Sequence, residues 1–207
     1  MNQRPSGICR RARISVAVAL AFFVSTGCAS FAKHKLPEAS VVAVAEPVES
    51  TFDLTWTMHV GAKTRPEPAL QRILETEFSE IMTETGALTL RRGMQGDVHV
   101  SVQMRNHGSR GAAVTAGLIS GLTFGAIPTW ATDHYELKAR VTTKSGDTVN
   151  YLLEDSMRTV IWLPLILLTP FLSPEDVSRN VRANMYRTLV ANMQGDGLIS
   201  AAAISSP

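Results

Sequence analysis

Between Phe52 and Val60 the chain alternates without a break: Phe52, Leu54, Trp56, Met58 and Val60 are interleaved with Asp53, Thr55, Thr57 and His59. Strand side chains point to opposite faces in turn, so this segment reads as a strand with one face in a core and one in water. A lone strand is not stable, so the rest of the chain must supply both pairing partners and a layer to cover the apolar face. Val98, Val100, Val102 and Met104, interleaved with His99, Ser101 and Gln103, repeat the pattern. Shorter versions fall at Tyr135, Leu137, Ala139, Val141 and at Val149, Tyr151, Leu153. Lys144-Ser145-Gly146-Asp147 between these last two is turn chemistry, which predicts a hairpin. Val41 to Ala45 is a candidate short first strand.

Two helices are expected. Leu70, Ile73, Leu74, Phe78, Ile81 and Met82 recur at helical spacing, Glu67, Glu75, Glu77, Glu80 and Glu84 fall on other faces, and Gly86 marks the stop. Ser173-Pro174-Glu175-Asp176 places an N-cap hydroxyl, a first-turn proline and two carboxylates at a helix start. From there Val177, Val181, Met185, Leu189 and Met193 form a stripe, Arg179, Arg182 and Arg187 point elsewhere, and Gly195 ends the helix. The predicted fold class is α+β, a two-layer sandwich. Its sheet is mostly antiparallel, with four to five strands, two amphipathic helices on one face and an apolar insert. Small envelope lipoproteins of the lipopolysaccharide-assembly type and the N-terminal domain of the TolB translocation protein look similar in element order, a likeness of fold that carries no functional residues.

The 207 residues, 45% hydrophobic and 18% charged with a net charge of +2, exclude a disordered chain and give no global field for nucleic acid. Two cysteines cannot build a disulfide framework or a cysteine zinc site in the mature chain. Arg4, Arg10, Arg11 and Arg13 precede the uncharged run Ile14–Val24. A bilayer-spanning helix needs about 20 apolar residues, so this shorter run is a secretory signal rather than an anchor.

Ser25-Thr26-Gly27-Cys28 follows directly, and here the chain resembles a bacterial lipoprotein precursor over about its first thirty residues. The resemblance implies cleavage by signal peptidase II between Gly27 and Cys28, with diacylglycerol on the Cys28 sulfur and acylation of its new amino group. Ser25 departs from the leucine the family prefers at that position. Ala29, where an aspartate would retain the protein at the inner membrane, implies an outer-membrane lipoprotein whose domain faces the periplasm. Several chains are needed because each buried methylene contributes only about 0.8 kcal/mol and one chain holds marginally. The implied organisation is a signal peptide at 1–27, a lipidated tether at 28–50, an α+β domain at 51–195 and a disordered tail at 196–207. Removing the signal peptide deletes four arginines and no acid, which turns the net charge of +2 into −2.

Two uncharged stretches stand apart. Gly111–Thr132 holds Gly117, Gly121 and Gly125 at four-residue spacing, a ridge where another backbone could approach closely. The second, 159–173, contains Pro164 and Pro170. Full spanning is disfavoured: the first is rich in small residues, the second is short and broken by proline, and two spans would separate the 135–153 hairpin from its sheet. Three readings stay open. Packing of both together as a buried or partly exposed apolar layer beside the sheet is preferred. The alternatives are a shallow interfacial wedge beside Cys28, with Arg105, His107 and Arg110 toward headgroups, and a membrane-inserting oligomer built on the glycine row. Trp130 and Trp162 suit either a core or an interface.

Hydrolase, metalloprotease, P-loop and C-x-x-C motifs are missing from the sequence. His59, His99 and His134 would make a metal site only if their strands brought them together, and Asp53, Glu136, Glu154 and Asp155 an acid/base pair only by tertiary placement. The expected function is therefore a non-enzymatic, cofactor-free lipoprotein that binds another envelope component in assembly, transport or maintenance. It is attached to the membrane through Cys28 and is a candidate homo-oligomer. A periplasmic enzyme is the remaining alternative.

Overall fold

A computed structural model describes residues 27–42, 44, 46–60, 63–65, 68–91, 96–108 and 110–199. The signal segment 1–26 and the tail beyond 199 lie outside the described residues. In chain order the elements are β1 (Cys28–Ala32), β2 (Val48–Val60), β3 (Lys63–Arg65), α1 (Pro68–Glu84), β4 (Leu88–Arg91) and β5 (Val98–Gly108). There follow α2 (Arg110–Leu122), β6 (Thr129–Thr143), β7 (Thr148–Ile161), a 3-10 turn (Leu163–Leu167) and α3 (Pro174–Gly195).

The class is α+β, and the sheet is mixed rather than mostly antiparallel, with strand order β1-β7-β6-β5-β2-β3 and β4 also on β2. β2 runs parallel to β5 from Ser50↔Val98 to His59↔His107, and parallel to β4. β5 pairs antiparallel with β6 from Val98↔Thr143 to Gly108↔Asp133. The parallel pairing follows from α1, since a crossover containing a helix returns the chain in the same direction. Period-two alternation looks the same for either direction of the partner, which is why the antiparallel expectation failed for β2 with β4 and β5, although β2 does pair antiparallel with β3. Among the described residues there are three α-helices rather than two, because the first uncharged stretch forms α2 and then enters β6.

Two compact units emerge. The larger holds the described residues of 31–110, 132–158 and 175–199. Its core packs Leu54, Val100, Leu137 and Leu153 of the sheet against Leu74, Phe78 and Met82 of α1 and Val181, Tyr186 and Leu189 of α3. Phe78 stands edge-on to Tyr186 with centroids 5.0 Å apart. Gly86, at φ +68, closes α1 as expected, in a conformation that favours glycine. Glu77 and Arg182 depart from their expected polar faces: they form a bidentate pair, at 2.8 and 2.7 Å, that is largely buried between the two helices. Val41 and Val44 pack on the core, and neither they nor Val42 belong to a strand, while residues 43 and 45 of the expected strand lie outside the described residues. The Gln194 side-chain amide bonds both the N–H and the C=O of Val42, giving this backbone the partners a strand would have supplied. Leu198 packs against the core and Ile199 is fully buried, although the sequence placed both in the tail.

The smaller unit has described residues 27–30, 111–131 and 159–174, which gathers the start of β1 with both uncharged stretches.

Candidate functional site

Gly27 and Cys28 are tied into the smaller unit by backbone groups. The Trp162 N–H donates to the Gly27 carbonyl at 2.9 Å, Cys28 N–H to Thr169 Oγ1 at 3.2 Å, and Ser30 N–H to the Leu172 carbonyl at 2.9 Å. A Cβ on Gly27 would overlap backbone atoms of Trp162, Leu165 and Ile166, so only glycine fits there without movement. Cys28 is half-buried, and burial raises its thiol above the ordinary value, which lowers its thiolate fraction.

Helix α2 buries Ala116 and Ser120 and turns Val114, Leu118 and Leu122 outward along one row, with Leu122 81% exposed. Gly117 and Gly121 are exposed too, and a Cβ on either would meet nothing within 4 Å. Gly125 has a different task. Its N–H bonds the Ser120 carbonyl at 2.7 Å while Phe124 N–H reaches Gly121, the paired bonds of a Schellman ending. Gly125 sits at φ +73, and its carbonyl accepts the Leu163 N–H at 2.9 Å. Phe124 occupies φ +50, a left-handed conformation costly for a bulky residue, and holds its ring 69% exposed. Ile127, Trp130, Trp162, Leu167, Leu168 and Phe171 are exposed as well. The buried residues of this unit are Gly27, Ala29, Ser30, Ala116, Ser120, Gly125 and Thr129, none larger than threonine. Residues 27–30, 111–131 and 159–174 contain no Asp, Glu, Lys, Arg or His.

Among the described residues, the charged side chains and histidines lie in the larger unit. His99 accepts or donates to Thr51 Oγ1 at 2.9 Å and meets Asp53 at 3.3 Å. His107 is the register neighbour of both His59 and His134, whereas His99 lies eight residues back along β5, about 26 Å at strand rise. The three histidines singled out from the sequence therefore do not come together. Partial desolvation of the largely exposed His134 ring lowers its pKa, and Lys35 and Lys33 push it the same way, so these cations share its surroundings. Burial raises the Asp133 carboxyl, with His134 and Asn106 opposing. Glu136 is held by Lys138 at 3.1 Å and Arg105 at 3.6 Å. Asp155, 2% exposed, accepts the N–H groups of Ser156 at 2.7 Å and Lys35 at 3.1 Å. It lines a cleft of about 490 Å³ with His34, Glu38, Asn184 and Arg187. Of the four carboxylates suggested as an acid/base set, Asp53, Glu136 and Asp155 are thus engaged separately.

The Glu77–Arg182 pair is the polar arrangement that sequence reasoning missed. Its signal was available as glutamates and arginines at three-residue spacing on the two helices: Glu80 meets Arg179 at 3.6 Å, beside the buried pair. No helix among the described residues is long and apolar enough to cross a membrane.

No family model matches the chain, and a search of curated proteins returned no match. Similar solved structures include protein XCC0632 from Xanthomonas campestris, described with family DUF330 (TM-score 0.40, 10% identity, 77% of this chain and 97% of that one). A minor lipoprotein from Acinetobacter baumannii is similar at TM-score 0.36 and 11% identity over 77% of this chain and 96% of that one. A PelC dodecamer variant from Paraburkholderia phytofirmans is similar at TM-score 0.30 and 11% identity over 82% of this chain and 95% of that one.

Proposed function

We propose that this protein is a non-enzymatic lipoprotein of the cell envelope, acylated on Cys28 after loss of residues 1–27. It is held at the outer membrane with its larger unit in the periplasm, where it binds another envelope component in assembly, transport or maintenance. The observation that carries this reading is the order of four arginines, the uncharged run Ile14–Val24, and Ser25-Thr26-Gly27-Cys28. Two placements support it. Cys28 opens a strand in a unit whose described residues carry no charge, and Asp53, Glu136 and Asp155 are each occupied by local partners rather than assembled around a reacting centre. Radiolabelled palmitate fed to cells producing the full chain tests the anchor. Labelling should be lost in Cys28→Ser, and label that persists in that variant would overturn the reading. Crosslinking in cells, followed by identification of the bound component, tests the binding role.

A further inference from the structure

We propose that the outer face of the smaller unit is a membrane-insertion surface, with the phospholipid leaflet that holds the acyl chains of Cys28 as its occupant. This rests on acylation at Cys28 and adds a second, non-covalent contact with the same leaflet.

The unit is packed in the reverse sense from a water-soluble domain. Its buried positions are Gly, Ala, Ser and Thr, while Leu118, Leu122, Phe124, Leu167 and Phe171 face outward. Exposed apolar patches of this kind mark sites that meet protein or lipid. Three observations select lipid. The described residues of the unit include no charged side chain or histidine, whereas a protein interface has a core ringed by a polar rim. Trp130 and Trp162, both exposed, are the side chain that concentrates at the headgroup level of bilayers. Cys28 lies in this unit, so acylation there brings the leaflet to it.

The mode is shallow insertion. α2 has 13 residues, about 20 Å of helix against a hydrocarbon core of about 30 Å, and one of its sides is already used to bury Ala116 and Ser120. Its row Val114, Leu118, Leu122 can enter the acyl boundary as an interfacial helix does, with Phe124 and Phe171 as further apolar contacts.

The lipidated protein, purified from membranes and reconstituted in phosphatidylcholine–phosphatidylglycerol vesicles carrying brominated acyl chains, provides the test. Bromine placed near the headgroup end of the chains quenches tryptophans at the boundary of headgroup and acyl region. Trp56, 3% exposed in the other unit, is the internal control. Emission from Trp130 and Trp162 should fall by about half, and the double variant Trp130→Phe, Trp162→Phe should leave an unquenched signal from Trp56. Leu118→Ser, Leu122→Ser and Phe171→Ser together should remove the quenching while thermal melting is unchanged. Quenching of Trp130 and Trp162 no greater than that of Trp56 in vesicle-anchored protein would overturn the proposal. So would protection of those tryptophans by a second copy, seen as a crosslinked oligomer without quenching. The mass of the Cys28 peptide is measured on the same sample, so failure of the anchor is distinguished from failure of the inserted face.

Discussion

The two units divide the apolar residues in opposite ways. In the larger one, Phe78, Tyr186, Leu74, Leu137 and Met185 are buried to within 1% of full exclusion, while charged side chains such as Glu49, Arg91 and Lys144 stand exposed. In the smaller one the side chains excluded from solvent are small, and Leu122, Leu167 and Phe171 stand about four-fifths exposed. A unit of the first kind holds itself together by removing large side chains from water, at about 25 cal/mol per Å². The second gains little in this way, and its ties are backbone hydrogen bonds such as Trp162 N–H to Gly27 and Leu163 N–H to Gly125. Substitutions that cost most in one unit should therefore cost least in the other.

The largest contrast is at the ion pair. Glu77→Ala strands Arg182 between two helices and should destabilise the protein by about 3–5 kcal/mol in chemical denaturation. Leu122→Ser and Phe171→Ser, by comparison, should each move stability by no more than about 0.5 kcal/mol. If the latter two cost as much as the former, the apolar face is a core and the contrast between the units collapses.

Gly27 sharpens the comparison with processing. In a chain that keeps residue 27, Gly27→Ala forces a Cβ into backbone atoms and should cost about 1–3 kcal/mol. In the lipidated protein that residue is gone, so Gly27→Ala should leave melting unchanged. Comparison with the same substitution in a Cys28→Ser background reads the difference directly.

Phe124→Gly should act on the two properties in opposite directions. Relief of the left-handed phenylalanine stabilises the helix end by up to about 1 kcal/mol, offset in part by the entropy of the unfolded glycine. The same change removes an exposed ring and should reduce tryptophan quenching in the vesicle assay.

The smallest effect belongs to the larger unit and to pH. The His134 pKa is lowered from 6.5, so the unfolded chain takes up a proton at higher pH than the folded one. Its contribution to stability is present above pH 6.5 and is lost as pH falls through the folded value. His134→Gln should flatten that part of the stability profile, by a small amount because the ring is exposed and screened.

Much of the larger unit was legible in the chain. The alternation at Phe52–Val60 and Val98–Met104 located β2 and β5, and Ser173-Pro174 and Gly86 located helix ends, because these signals depend on neighbours within a few residues. β1, β3 and β4 were not legible: they are short, and their strand character comes from the partner they pair with. The histidine register was equally hidden, since it took the parallel alignment of β2 with β5 to put His107, rather than His99, beside His59.

By itself the sequence determined where side chains of each polarity fall along each element, where helices begin and stop, and which stretches carry no charge. Those properties are local, set by backbone geometry and side-chain chemistry. The tertiary structure alone decided the direction of strand pairing, the burial of Glu77 against Arg182, and the outward turn of the large apolar residues from 111–131 and 159–174. Hydropathy records that a side chain avoids water. Whether protein covers it depends on which surfaces the folded chain brings together.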